Sequence, residues 1–191
     1  MRGVYNLNNN KIWQKELTEL KIAIVYATVG GTTRECASLL KNELKNHDVT
    51  LFEIGKNEPD LEAFDLVVLG FPIIMGKAVK CARNFIKTYA EQLKNSKTAY
   101  FICCGFVDCF EEYAEKCIPK ELADAAVDIS CLGGSLDPTK FRGLNRIVVK
   151  AVRDEILGGG DNADERKDMV LPTIMEENIA QFAEKIKNSV I

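Results

Sequence analysis

The 191-residue sequence predicts an α/β fold, a single doubly wound sheet of five parallel strands with helices on both faces. Three observations carry that prediction. The runs IAIVYA, LVVLG and AYFICC are almost continuously apolar, as strands buried on both faces of a parallel sheet are. Segments with helical spacing separate these runs. The first run also breaks off into small hydroxyl and glycine residues, TVGGTT, just before a helical pattern begins.

The elements follow in order. Residues 21–27 give the first strand, and Cys36, Leu39, Leu40 and Leu44 then recur at helical spacing. Residues 49–54 alternate more and belong nearer an edge. GKNEPDLEAF has little periodicity and reads mostly as loop. Residues 66–70 form the third strand, followed by a helix carrying Ala82, Phe85, Ile86, Tyr89 and Leu93. Residues 99–104 form the fourth strand, and residues 111–117 a shorter helix ended before Pro119. Residues 127–131 form the fifth. Leu144, Ile147, Val148, Ala151 and Val152 mark the next helix, and Met175, Ile179, Phe182, Ala183 and Ile186 the last.

Residues 21–191 are expected to form one domain, and residues 1–20 an N-terminal extension outside the α/β pattern. KIWQKELTEL reads either as a short amphipathic helix, with Ile12, Trp13, Leu17 and Leu20 on or near one side, or as a frayed segment. GGGDNADERKD, residues 158–168, reads as a polar connection. Its glycine run fails as a phosphate loop because no buried strand precedes it.

Composition bounds the function. At 47% hydrophobic residues the chain can bury a substantial core, and a net charge of −3 argues against a nucleic-acid partner. Seven cysteines without an export signal predict free thiols in a reducing compartment, hence a cytoplasmic protein. No apolar run approaches the roughly 20 residues needed to span a bilayer. Cys104, Cys109 and Cys117 lack the C-x-x-C spacing of zinc or iron–sulfur ligation, so no metal is expected. Cys103 and Cys131 read as buried strand residues, while Cys104 and Cys109 fall beside the loop after the fourth strand. His47, the lone histidine, lies away from that edge, which disfavours a histidine-activated nucleophile.

Ligands of open α/β sheets sit at the carboxyl ends of the strands. There TVGGTT offers glycines for close backbone approach, hydroxyl donors and a helix N-terminus, a combination that suits phosphate. The plain alternative is a well-capped helix after a tight turn, with Thr32 or Thr33 as cap and Thr32 with Glu35 at capping-box spacing. The loop is neither a Walker A motif nor G-x-G-x-x-G. It has the T-x-x-G-x-T form of a flavin phosphate loop.

On these residues the chain resembles the flavodoxin-like family. KIAIVYATVGGTTRECASLLKNEL is similar to its first strand, phosphate loop and first helix, and LVVLGFPIIMGKAVKCARNFIKTY to its third strand and flavin-ring loop. CLGGSLDPTKFRGLNRIVVKAV resembles the segment after the fifth strand in the subfamily that includes quinone-dependent protoporphyrinogen IX dehydrogenase. The resemblance implies the strand order 2-1-3-4-5. It implies FMN, with its phosphate cradled by Thr28, Val29, Gly30, Gly31, Thr32 and Thr33. It implies a ring held between Phe71, Pro72, Ile73, Ile74, Met75, Gly76 and Lys77 on one side and Gly105, Phe106, Val107 and Asp108 on the other, with either Phe71 or Phe106 against it.

The resemblance implies an FMN-dependent oxidoreductase passing electrons from a reduced substrate to a quinone or other acceptor. The alternative within the family is an electron carrier between redox partner proteins. Two departures bear on the choice. Members that oxidise protoporphyrinogen tend to carry an Arg-Tyr pair before the loop glycine, where this chain has Ile74-Met75. Their basic insertion after the fourth strand is replaced by VDCFEEYAEKC, with Asp108, Glu111, Glu112 and Glu115. The acids favour the carrier. Arg142, Arg146, Lys150 and Arg153 form a basic stripe on one predicted helix, which reads either as a solvated face or as peripheral contact with an anionic membrane or a redox partner.

Overall fold

Strand burial follows the apolar runs closely in a computed structural model, which describes residues 19–156 and 171–189. β1 (Lys21–Tyr26) is buried in all but its first residue, and β5 (Thr98–Cys103) throughout. β3 (Leu66–Ile74) is buried over its first six residues. β2 (Asp48–Glu53) is only partly buried, as its alternation predicts. With β6 (Ile129–Cys131), these five strands pair in parallel in the order β2-β1-β3-β5-β6, the predicted 2-1-3-4-5. The two-residue β4 (Lys77–Ala78) folds back antiparallel on the end of β3.

Helices cover both faces. α1 (Thr32–Glu43) and α7 (Glu176–Asn188) pack on one face, where Cys36, Leu40, Phe182 and Ile186 meet Ile22, Ile24, Val68 and Phe101. α2 (Lys80–Thr88), α3 (Ala90–Asn95), α4 (Phe110–Cys117) and α5 (Lys120–Asp124) pack on the other, placing Phe85, Leu93, Ala114 and Leu122 against Val25, Leu69 and Tyr100. α6 (Gly143–Ile156) lies over the carboxyl edge of the sheet.

Several boundaries differ from expectation. β3 does not stop at Gly70 but runs on to Ile74, because β4 gives its end a partner through Ile73↔Ala78 and Ile74↔Lys77. The single helix expected after it breaks at Tyr89 into α2 and α3. The loop GKNEPDLEAF contains one 3-10 turn, Leu61–Ala63, pinned by the fully buried Leu61. Leu20 is built into the domain: it is buried, its carbonyl accepts from Asp48 N–H, and its N–H donates to His47 Nδ1 at 3.3 Å. The other expectations for the N-terminal segment, Trp13 included, and for the 158–168 connection fall outside the described residues.

Candidate functional site

The turn from β1 into α1 is built by Thr28 and Gly31. Thr28 Oγ1 accepts from Gly31 N–H at 3.0 Å, folding the loop back on itself. Gly31 occupies the N-cap position in the left-handed region, φ 90°, which a β-carbon would penalise. The capping expectation is therefore overturned: no side chain caps α1, and Thr32 and Thr33 are its first two helical residues. Both hydroxyls are buried, and neither Thr32 Oγ1 nor Thr33 Oγ1 has a hydrogen-bond partner among the described residues. The Cys103 sulfur lies near enough to feel the Thr33 hydroxyl without meeting hydrogen-bond geometry. A buried orphan hydroxyl costs about 1–3 kcal/mol, so two side by side at a helix N-terminus mark a place for an acceptor-rich ligand.

Both threonines open into a cleft of about 180 Å³ at the carboxyl edge of β1, β3 and β5. Of the predicted phosphate loop, Thr28, Val29, Gly30, Thr32 and Thr33 line it; Gly31 shapes the turn from behind. Of the predicted ring loop, Pro72, Ile73 and Ile74, which the structure places in β3, and Met75 and Gly76 line it. Met75 and Gly76 both have positive φ, 52° and 72°, and join β3 to β4 as a two-residue hairpin. Lys77 lies in β4 beyond that tip, outside the lining.

Gly105 and Phe106 close the cleft from the β5 side, while Val107 and Asp108 turn away into a 3-10 turn, Val107–Cys109, that leads into α4. The two candidate aromatics separate cleanly. Phe71 is fully buried in the core, whereas Phe106 is 44% exposed and lines the cleft.

The roof is what sequence reasoning missed. Ser135, Leu136, Phe141, Val148, Val149 and Val152 line the cleft from the segment after β6 and from α6. The apolar stripe read on α6 splits: Val148 and Val152 face the cleft, but Leu144 and Ile147 are 79% and 65% exposed. Arg142, Arg146 and Lys150 are exposed and Arg153 half-buried. The adjacent glycines Gly133 and Gly134 were the available signal for the roof segment. They let the chain pass tightly, since a β-carbon on Gly134 would sit 2.3 Å from the Cys104 carbonyl oxygen.

Electrostatics at the rim are set by side chains already engaged. Glu53 at the end of β2 takes Arg34 Nη2 at 2.7 Å and Lys56 Nζ at 2.9 Å, and Tyr26 Oη donates to it at 3.3 Å. Burial pushes the Glu53 carboxyl up, but the hydrogen bonds from Lys56 and Arg34 outweigh this and hold it below its ordinary value. Lys140 pairs with Glu35 of α1 at 3.4 Å, tying the roof segment to the phosphate-loop helix. Acids gather at the start of α4, where Asp108, Glu111 and Glu112 are exposed and Glu112 pairs with Lys116. No group of three or more potential metal ligands occurs among the described residues. No described helix is long and apolar enough to cross a membrane.

Comparison with known proteins agrees with this fold. The family model described as Flavodoxin domain matches residues 23–163. Over 180 residues the chain is 27% identical to the protoporphyrinogen IX dehydrogenase [quinone] of Escherichia coli strain K12, covering 87% of this chain and 94% of that protein. A mutant of the flavo di-iron protein of Thermotoga maritima shares the fold, with TM-score 0.51 and 9% identity over 90% of this chain and 36% of that one. The Fusobacterium nucleatum flavodoxin bound to flavin mononucleotide is 14% identical, with TM-score 0.49, over 89% of this chain and 98% of that chain.

Proposed function

The chain belongs to the flavodoxin domain family, and from that premise we propose that it is an FMN-binding oxidoreductase passing electrons from a reduced substrate to a quinone or another acceptor. The observation that carries the reading is the pair of orphan hydroxyls on Thr32 and Thr33 at the N-terminus of α1. Phosphate oxygens would satisfy both hydroxyls, and the backbone N–H groups of the first helical turn with them. FMN bound here supplies the one- and two-electron chemistry.

The chain's own residues grip, orient and exclude water. Thr28 and Gly31 hold the loop in its receiving shape. Ile73, Ile74 and Met75 on one side and Gly105 and Phe106 on the other would flank the ring. Leu136, Val148, Val149 and Val152 add an apolar roof beyond what a phosphate needs, which favours a small-molecule reductant over a bare carrier. The exposed Leu144 and Ile147 beside Arg146 and Lys150 suit peripheral contact with an anionic membrane surface, where a quinone acceptor would dissolve.

A second reading, an electron carrier between protein partners, is favoured by the exposed acids Asp108, Glu111 and Glu112 at the edge of the ring loop. The visible absorption spectrum of the purified protein, with FMN added, tests the cofactor. An oxidised-flavin spectrum altered by the protein supports it, and absence of both spectrum and thermal stabilisation overturns it. Anaerobic turnover of protoporphyrinogen with a quinone then separates the two readings. Multiple turnovers support the dehydrogenase; a flavin that is reduced only by a partner protein supports the carrier.

A further inference from the structure

Four of the seven cysteines meet in two pairs beneath the cleft. Cys36 and Cys103 stand with sulfurs 3.7 Å apart on the α1 face of the sheet. Cys104 and Cys131 stand with sulfurs 3.6 Å apart on the α4 face. Neither pair is adjacent in sequence. Each is made by the ends of neighbouring elements converging on the edge where the flavin would sit.

The two pairs differ chemically. The Cys36 thiol is engaged with the Leu132 carbonyl, and Cys103 is pushed well up by its hydrogen bond with Cys36 and by burial. That pair behaves as apolar filling. The Cys131 thiol is instead lowered by its hydrogen bond with Cys104, and further by the backbone at Gly133 and Cys104, against the opposing effect of burial. Cys104 is correspondingly raised, first by its hydrogen bond to Cys131 and then by burial. The two thiols are thus unequal, one giving up its proton more readily than the other, as attack within a dithiol requires.

Cys103 and Cys104 both line the cleft, and Cys104 directly precedes Gly105 and Phe106, which close it. The partners differ in placement: Cys36 lies in α1, whereas the partner of Cys104 lies in the edge strand. Cys131 ends β6, a three-residue strand at the edge of the sheet, paired with β5 through Tyr100↔Ile129, Phe101↔Ser130 and Ile102↔Cys131, and its carbonyl accepts from Asn178 Nδ2 at 2.8 Å. Closing 3.6 Å to the roughly 2.05 Å of a disulfide requires a small shift, and a short edge strand can yield it.

We propose that Cys104 and Cys131 form a redox-active dithiol that closes to a disulfide and delivers its electrons to the flavin in the cleft. The electron acceptor rests on the FMN reading; the disulfide itself does not. In the balanced step, the Cys104–Cys131 S–S bond forms as the two thiols lose two electrons and two protons. The oxidised isoalloxazine takes up both electrons and both protons.

The test runs on the whole protein in two anaerobic arms. In the first, fully reduced flavin-free protein is treated with diamide, which accepts two electrons and two protons. The expected result is loss of two of the seven thiols and a peptide linking Cys104 to Cys131. Linkage through other cysteines only, or no linkage, overturns the proposal. In the second arm, one equivalent of oxidised FMN is the sole oxidant. Bleaching of the flavin band with appearance of the same linked peptide supports electron delivery, and bound flavin that stays oxidised overturns it. Flavin that fails to bind overturns the cofactor reading, and the diamide arm still decides the disulfide. Cys131→Ala should abolish the linkage in both arms, while replacing the exposed Cys81 by alanine should not change it. Mapping of the unmutated protein decides the matter should Cys131→Ala fold poorly.

Discussion

The ring of Phe141 lies directly over Gly30: a β-carbon on Gly30 would sit 2.7 Å from Phe141 Cζ and 2.9 Å from Cε1. Phe141 of the roof segment thus closes down on the turn between β1 and α1, and the turn needs glycine there because of the ring above it. The contact joins two stretches more than a hundred residues apart. It makes the floor and roof of the cleft one unit.

Gly30→Ala is therefore expected to destabilise the protein by about 1–3 kcal/mol, the cost of overpacking a tight contact. In a Phe141→Ala background the same change should cost far less. Denaturant unfolding of the two single variants and the double variant measures the coupling. Equal costs in both backgrounds would show that the ring is not what excludes the alanine.

Thr32→Val and Thr33→Val should move stability and affinity in opposite directions. Each removes a buried hydroxyl that lacks a partner, so the flavin-free protein should be unchanged or slightly more stable. FMN affinity should fall roughly tenfold to a hundredfold per hydroxyl, since a hydrogen bond to a charged acceptor contributes about 1.5–3 kcal/mol. Thermal unfolding without flavin and fluorescence titration with FMN read the two effects separately. Loss of stability without flavin would assign the hydroxyls to the fold instead.

Tyr100 is fully buried on the α2 face, and its hydroxyl has no hydrogen-bond partner, the nearby Thr98 notwithstanding. Tyr100→Phe keeps the ring and removes the orphan oxygen. An increase in stability of about 1 kcal/mol is expected by urea denaturation. A decrease would reveal a partner for the hydroxyl.

Glu53 links folding to pH. Its carboxyl is pushed up by burial but held below 4.5 overall by Lys56 and Arg34, so the folded state favours its ionised form. This contribution is fully present above pH 4.5 and is lost as pH falls through the lowered folded value. Arg34 and Lys56 are 48% and 62% exposed, so solvent screening keeps the contribution to about 0.5 kcal/mol. Glu53→Gln should flatten the stability–pH curve between pH 5 and 3 by about that amount. An unchanged slope would show that other carboxylates carry the acid response.

Much of this protein is legible along the chain because burial on both faces of a parallel sheet leaves a signature that neighbours cannot disguise. The runs at β1, β3 and β5, the partly exposed β2, and the helices α1, α4 and α7 follow directly from apolar spacing. The edge that carries the cleft is legible too, because ligands of an open α/β sheet sit at the carboxyl ends of its strands. Elements without a period were not legible. A two-residue β4 carries no alternation, and only its pairing with Ile73 and Ile74 makes it a strand and extends β3.

The sequence by itself determined the strands of the sheet and the residue types of the turn between β1 and α1, because these depend on local composition and on repeating apolar spacing; the strand order came with the family resemblance. Only the tertiary structure decided how the loop's atoms are used. It left the Thr32 and Thr33 hydroxyls without partners and gave the N-cap position to Gly31. It buried Phe71 and presented Phe106, because the continued pleat of β3 turns Phe71 into the core. It also brought Phe141 over Gly30 and Cys131 beside Cys104, contacts between distant segments that no spacing along the chain encodes. Such contacts exist only once the sheet edge and the α6 roof have packed together.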